Sequence, residues 1–390
     1  MLNILIVIAE CLSTAFFSLG QIARISFYNQ QINLYPYEIF MSVALLLLII
    51  KHRATPIKPN NTFKHIYLFL IILFVSFLFS FRSYDAYENG IGFLYLFRLA
   101  FYLLHFAYLS VHLRRFREYN TRMPNEMSLL VFIIILSSWL QYMFYPNLRN
   151  LLYQGWDPHL YRIFGTFFEP YLAGAALGLL FFFVYFRMFS KRSQIWIKRF
   201  MLGIIFLLIM LTFSRTVYMT IMISLMILFI REKRYLYAGQ TIAAFMLLAI
   251  VIPKPVGVGV QLFRTFSVET RINNAVEGVK VWTKNPIVGV GYNRIRYEKA
   301  RLGLAGKYDL SHAASSYHSS FVTILVGGGV LGLLGLFGVL GMLGNISTPS
   351  FYYVLFLSIL SFGDNALLHP FSLFILLKLI AYEYSQSSLE

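Results

Sequence analysis

Long apolar runs dominate this chain, separated by short polar stretches. Runs such as 67–81 and 200–211 carry no charged residue at all. A helical run of about 20 residues spans the hydrocarbon core of a bilayer. Lipid leaves few alternatives to a helix, because every backbone polar group must be satisfied internally. The strict alternation of a membrane β-barrel is absent. The pattern predicts about twelve spans, near 2–20, 37–50, 65–81, 91–111, 128–145, 168–187, 200–213, 215–230, 237–252, 319–343, 350–363 and 370–384. The expected architecture is all-α: a polytopic integral membrane protein, with residues 1–390 as a single integral domain.

Composition agrees. Of the 390 residues 58% are hydrophobic and 13% charged, about half the charged fraction of an ordinary soluble domain. The single cysteine, Cys11, lies in the first apolar run and excludes an intramolecular disulfide or a cysteine metal cage. That run has no basic stretch before it and no small-residue cleavage site, so it reads as a retained helix.

Lysine and arginine set the orientation. Lys51, Arg53, Lys58 and Lys64 lie between spans 2 and 3, and Arg114, Arg115, Arg117 and Arg122 between spans 4 and 5. Later even-numbered loops are equally basic, whereas 21–36 and 82–90 are sparse. Both termini and the even loops are therefore expected to be cytoplasmic. Residues 253–317, between spans 9 and 10, form a large outward loop that is nonetheless rich in Lys and Arg. Long loops translocate regardless of charge, and a basic cap could gather an anionic ligand, or serve only solubility. Inside it, Ile272, Ala275, Val276, Val279 and Trp282 share one helical face, the signature of a short amphipathic helix at a membrane interface. Asn285-Pro286 ends that helix, and the lone GVG pieces at 257–259 and 289–291 are too weak to count as phosphate loops.

Polar residues at or near membrane depth are candidates for chemistry. Arg98 lies roughly 10 Å into its helix, either snorkelling to the surface or lining a cavity. His105 lies deeper and reads as a core histidine bonded to a neighbour. Arg215, in a tight outward hairpin with Ser214 and Thr216, is either a structural cap or a bidentate phosphate ligand. Arg162 precedes a helix that begins with Glu169-Pro170. Glu169 fits a helix N-terminus, and equally a carboxylate at a cavity rim. His318 opens the glycine-rich run that follows the large loop, as a wet helix end or as an acid–base group. The glycines at 329, 332, 335, 338, 341 and 344 read as a packing stripe.

Taken in order, these motifs resemble the O-antigen ligase and polymerase superfamily. The carriers are "RIFGTFFEP", "FSRT", the stretch from Arg271 through Trp282 to "NPIVGVGYN", and His318-Ser319 followed at a distance by Gly329-Val-Leu-Gly332. The resemblance covers roughly 160–345. It implies a GT-C-like membrane glycosyltransferase whose active site and large loop face the periplasm of a bacterial inner membrane. Donor and acceptor would be undecaprenyl-pyrophosphate-linked oligosaccharides. His318 is then the candidate base and Glu169 the second choice. Arg215 and Arg271 are the candidate pyrophosphate ligands, with Arg162, Arg264 and Arg98 beside them. No Asp-x-Asp pair or histidine cluster appears, so the mechanism is expected to need no metal or other cofactor. Membrane lipids and a chain-length regulator are the other expected partners, and nucleic acid is not. The Arg-x-x-Gly-Thr-Phe and Ser-rich features look more like a polymerase than a ligase. A lipid-linked sugar transporter is the alternative of another class. It would show inverted repeats and paired intramembrane charges, whereas the polar groups here are expected at one face.

Overall fold

The computed structural model describes residues 2–28, 30–53, 62–189, 192–252, 266–304, 306 and 315–387. Arg264, and parts of the large loop, lie outside the described residues. The helices are α1 (Leu2–Phe17), α2 (Pro36–His52), α3 (Lys64–Phe79), α4 (Ala86–Arg115), α5 (Arg117–Phe144), α6 (Pro170–Arg187) and α7 (Ile195–Leu211). They continue with α8 (Arg215–Arg231), α9 (Tyr235–Val251), α10 (Phe266–Trp282), α11 (Ile295–Arg301), α12 (Ser320–Gly344), α13 (Thr348–Gly363) and α14 (Pro370–Gln386). A helix underlies each predicted span, and α10 and α11 are the short helices of the large loop. A small antiparallel ribbon, Ile25–Phe27 on Ile32–Leu34, closes the loop between α1 and α2.

The fold is a helical bundle that is apolar on its outer surface as well as in its core. Among the described residues, four segments are long and apolar enough to cross a bilayer: Ala86–Arg115, Asn125–Phe144, Pro170–Arg187 and Ser320–Gly344. Four shorter apolar helices accompany them. Large apolar side chains stay exposed on outer helices, as with Phe79, Leu236 and Ile250. Apolar surface on this scale marks contact with a membrane. The α6 helix sits at the centre, buried on nearly every side, packed against α7, α8, α13 and α14. It gains that closeness from small residues: a Cβ on Gly178 would meet the ring of Phe356.

The bundle interior corrects one expectation. Polar groups do not gather at one face alone. Near the middle of α1, Glu10 accepts from His105 at 2.6 Å and lies 3.2 Å from Lys378, which also reaches Glu126 at 3.5 Å. His105 is thus the neighbour-bonded core histidine its depth suggested. Glu10, His105 and Lys378 are buried and Glu126 nearly so, and none lines the cavity described below. Charges in such surroundings persist only when paired, and here the pairing ties α1, α4, α5 and α14 together. Each of these residues stands alone in sequence, so only tertiary contact reveals the set.

The glycine run of α12 does more than pack. Gly329 has φ +66 and breaks the helix. The loop 286–291 lies against the break and replaces the lost helical hydrogen bonds. Val290 N–H donates to Val326 O at 2.9 Å and Gly291 N–H to Gly327 O at 3.0 Å, while Val330 and Leu331 N–H donate to Pro286 O and Ile287 O. Buried backbone groups must be paired, and a kink needs such an identifiable cause. A Cβ on Gly329 would stand 2.1 Å from Ile287 O. Gly329→Ala is therefore expected to cost about 2–5 kcal/mol, the left-handed strain plus overpacking. Thermal unfolding in detergent, with Gly341→Ala as the open-space control, checks this; equal midpoints would remove the kink from the account.

Candidate active site

The constellation forms where α8, α10, α12 and α13 bring their ends together. Its centre is Asp364, the residue that stops α13 in an extended conformation, only 3% exposed. One carboxylate oxygen accepts from Arg271 Nη2 of α10 at 2.8 Å. The other accepts a short hydrogen bond from the Thr216 hydroxyl, in the first turn of α8. Arg215 precedes Thr216 and lies within electrostatic reach of Arg271.

His318 enters from the segment before α12 and is held by its neighbours. Its backbone N–H donates to Asn274 Oδ1 on α10 at 2.9 Å. Ser319 caps α12 and donates its hydroxyl to Ser361 O on α13 at 3.0 Å. Ser320 donates to Asn365 Oδ1 at 2.9 Å and accepts from Leu367 N–H. The serines after the histidine therefore lock its loop to the turn carrying Asp364. On the other side, buried Lys299 of α11 bridges Glu277 of α10 at 3.1 Å and Ser316 O at 3.4 Å. Burial holds the His318 imidazole below its ordinary pKa, with the Asp364 carboxylate opposing that and Arg271 and Lys299 reinforcing it. Burial likewise raises Asp364, against the pull of Arg271, Thr216 and His318.

The rim is acidic and imidazole-bearing. Glu169 is the N-cap of α6, yet its side chain makes no capping hydrogen bond. Instead it lies 3.5 Å from His159 Nε2. Asp157, His159 and Glu169 present ligand atoms within 4.8 Å of one another, a spacing that would suit a divalent cation. The charges of Asp157 and Glu169 reach His318 and Asp364 respectively.

Arg162 serves the hairpin. Its Nε and Nη2 donate to the carbonyls of Thr212 and Phe213 at 2.9 and 3.1 Å. It thus closes the α7–α8 turn that carries Arg215. Arg98 stands apart from the His318 cluster: it lines a neighbouring cavity and pairs with Glu38 at 2.6 Å. Much of the basic loop is also spent internally. Arg294 is fully buried, donating to Phe77 O and Ser80 Oγ between the rings of Phe77 and Tyr84. Lys284 and Arg301 pair with Glu298, and Arg301 also with Glu88. A basic field over this face is smaller than the residue count suggests. On α10, Ile272, Val276 and Val279 remain exposed while Asn274 and Val281 turn inward. The apolar stripe is thus left without a protein partner among the described residues.

Sequence reasoning missed Asp364, Thr216 as its partner, and Asn274. Asp364 carried one weak signal: it is an acidic residue in a short loop of the same parity as Arg215 and His318.

These features define a multi-pass helical membrane protein with a His–Asp–Arg constellation around a buried aspartate at one end of the bundle. Residues 200–337 match the family model described as O-antigen ligase, which is consistent with the O-antigen polymerase and ligase superfamily. The match takes in the hairpin of Arg215, the helix of Arg271 and the start of α12 with His318. No curated protein matches the chain.

The electrostatics give a signed pH prediction. With His318 as the base, the imidazole must be neutral to act, so the acidic limb of activity would lie below the ordinary histidine pKa of about 6.5. Asp364→Asn removes the charge that favours imidazolium and should move the limb to lower pH. Arg271→Gln removes an opposing cation and should move it higher. Rate–pH profiles of the two variants check this; shifts in the same direction would exclude His318 as the titrating group.

Proposed function

We propose that this chain is a membrane glycosyltransferase that polymerises a surface polysaccharide. It moves a glycan from undecaprenyl pyrophosphate onto a lipid-linked repeat unit, at the periplasmic side of a bacterial inner membrane. The observation that carries this reading is that His318 is anchored to the two helices that carry the Arg271–Asp364 pair, which Thr216 joins next to Arg215. Twelve membrane spans with both termini cytoplasmic would put every one of these residues on the periplasmic face.

The chemistry follows from the residues. The acceptor hydroxyl loses its proton to the neutral imidazole of His318 as its oxygen bonds to the donor's anomeric carbon. The bond from that carbon to the phosphate oxygen breaks, and the pyrophosphate leaves with the electron pair. Fixed cations are most effective where charge develops in a low-dielectric site. Arg215 supplies a planar fork for phosphate oxygens, and Arg271 a second guanidinium. Asp364 orients Arg271 and favours the imidazolium that forms on His318. The proposed mechanism uses no metal and no other cofactor, and a chain-length regulator protein would be its partner.

Loss of this protein is expected to leave single repeat units on the final acceptor, seen as a collapsed ladder on a glycan gel. A ligase would instead leave that acceptor bare while long lipid-linked chains accumulate, and that pattern would replace the polymerase reading.

A further inference from the structure

Beside the His318 cluster lies a chamber whose lining is different in kind. Its volume is about 210 Å³, under the roughly 300 Å³ where pockets for drug-sized ligands begin. Trp156, Tyr292 and Asn365 are among its walls, and its charged lining residues are Arg24, Arg98 and Arg296. Among the described residues, no aspartate or glutamate lines it.

The charge balance is uneven. Arg98 is neutralised by Glu38 at 2.6 Å, but its Nη2 is buried without a hydrogen-bond partner. Arg296 Nη1 is likewise buried and unsatisfied. Arg24 donates to Gln30 Oε1 at 3.1 Å and its guanidinium lies 4.9 Å from the centre of the Trp156 ring. Neither Arg24 nor Arg296 forms an ion pair with a carboxylate among the described residues. Buried donors left unmade are costly, more so when charged. A ligand anion would supply the missing acceptors. The amides and aromatic rings around it suit the hydroxyls and apolar face of a sugar ring, and the volume suits one monosaccharide unit. The chamber adjoins the base: Ser316 lines it two residues before His318, and Asn365 follows Asp364.

We propose that this chamber is the acceptor-side subsite for an acidic monosaccharide, a hexuronate or a sugar of equivalent charge. The assignment rests on the glycan-transfer reading for the word acceptor, but the binding itself is separable from it. The test is ligand-observed NMR on the full chain in detergent, using glucuronate, its neutral methyl ester, glucose and inorganic pyrophosphate. Glucuronate is expected to bind about tenfold more tightly than the ester or glucose, the effect of one charge-assisted hydrogen bond. Arg296→Gln and Arg24→Gln should each weaken glucuronate by a similar factor, while His318→Ala leaves it unchanged. Pyrophosphate binding should fall in Arg271→Gln and persist in Arg296→Gln. Equal binding of glucuronate and its ester to the wild-type protein overturns the proposal without any variant. Pyrophosphate binding lost in Arg296→Gln but kept in Arg271→Gln would overturn it too, since the chamber would then be the phosphate site. Glucuronate binding as expected, with an unchanged glycan ladder in a strain lacking this protein, would instead sink the transfer reading and leave the chamber standing.

Discussion

His318→Ala is expected to lower glycan chain formation by about 10²–10⁴-fold, the usual contribution of a positioned acid–base group. Membrane insertion and expression should be unchanged, because the ties that fix this segment do not use the imidazole. The backbone N–H of His318 bonds Asn274, and the hydroxyls of Ser319 and Ser320 bond the last turn of α13 and the turn after it. Alanine keeps all of these. Removing the half-buried ring leaves Asp364 with Arg271 and Thr216 still in place. The measurement is the ladder of glycan lengths in a strain carrying only the variant, with protein level determined alongside. Wild-type chain length from normally inserted His318→Ala would remove this residue from the chemistry. Its position would then be only that of a helix entry.

Arg215→Ala is expected to cost about 10²–10³-fold, comparable to removing one preorganised donor from a developing anion. Arg215→Lys should recover only part, since an ammonium is a point charge and lacks the fork that grips two phosphate oxygens. The structure sharpens this expectation. Arg162 grips the carbonyls of Thr212 and Phe213, and Thr216 is bonded to Asp364, so the turn before and after Arg215 is held on both sides. A phosphate ligand mounted this way needs little ordering on binding. In a cell-free transfer assay with a lipid pyrophosphate-linked donor, the expected signature is a fall in turnover larger than any rise in donor KM. A variant that turns over normally but needs more donor would make Arg215 a ground-state anchor alone.

The two assignments depend on one another through Asp364. Its carboxylate joins α13 to α10 and α8, and those helices carry Arg271 and Arg215. Moving or neutralising it acts on the base and on the phosphate cations together. Both Asp364→Asn and Arg271→Gln also touch the phosphate cations, so His318 is read from the opposite directions of their pH shifts and not from the rates they lose, while the turnover of Arg215→Ala probes the leaving group.

The linear pattern of residues was enough for the helices. Apolar runs near bilayer length have few other solutions in lipid, so the segments read from the sequence and the helices of the structure coincide, down to the amphipathic α10. The same pattern picked out His318, Arg215 and Glu169, because a polar residue next to an apolar run stands out against its neighbours, whereas Arg271 was named only through the family resemblance. What each side chain touches was beyond its reach. Asp364 comes 93 residues after Arg271 and 148 after Thr216, and no local periodicity encodes such a meeting. The kink at Gly329 is equally non-local: it exists because the distant loop 286–291 supplies the donors and acceptors that the broken helix lacks. The mid-bundle set of Glu10, His105, Glu126 and Lys378 is a third case, four isolated residues that tolerate burial only together. Helix formation in lipid is a local demand of the backbone, written in each segment. Pairing of buried charges is a demand on partners, met only once the helices are side by side.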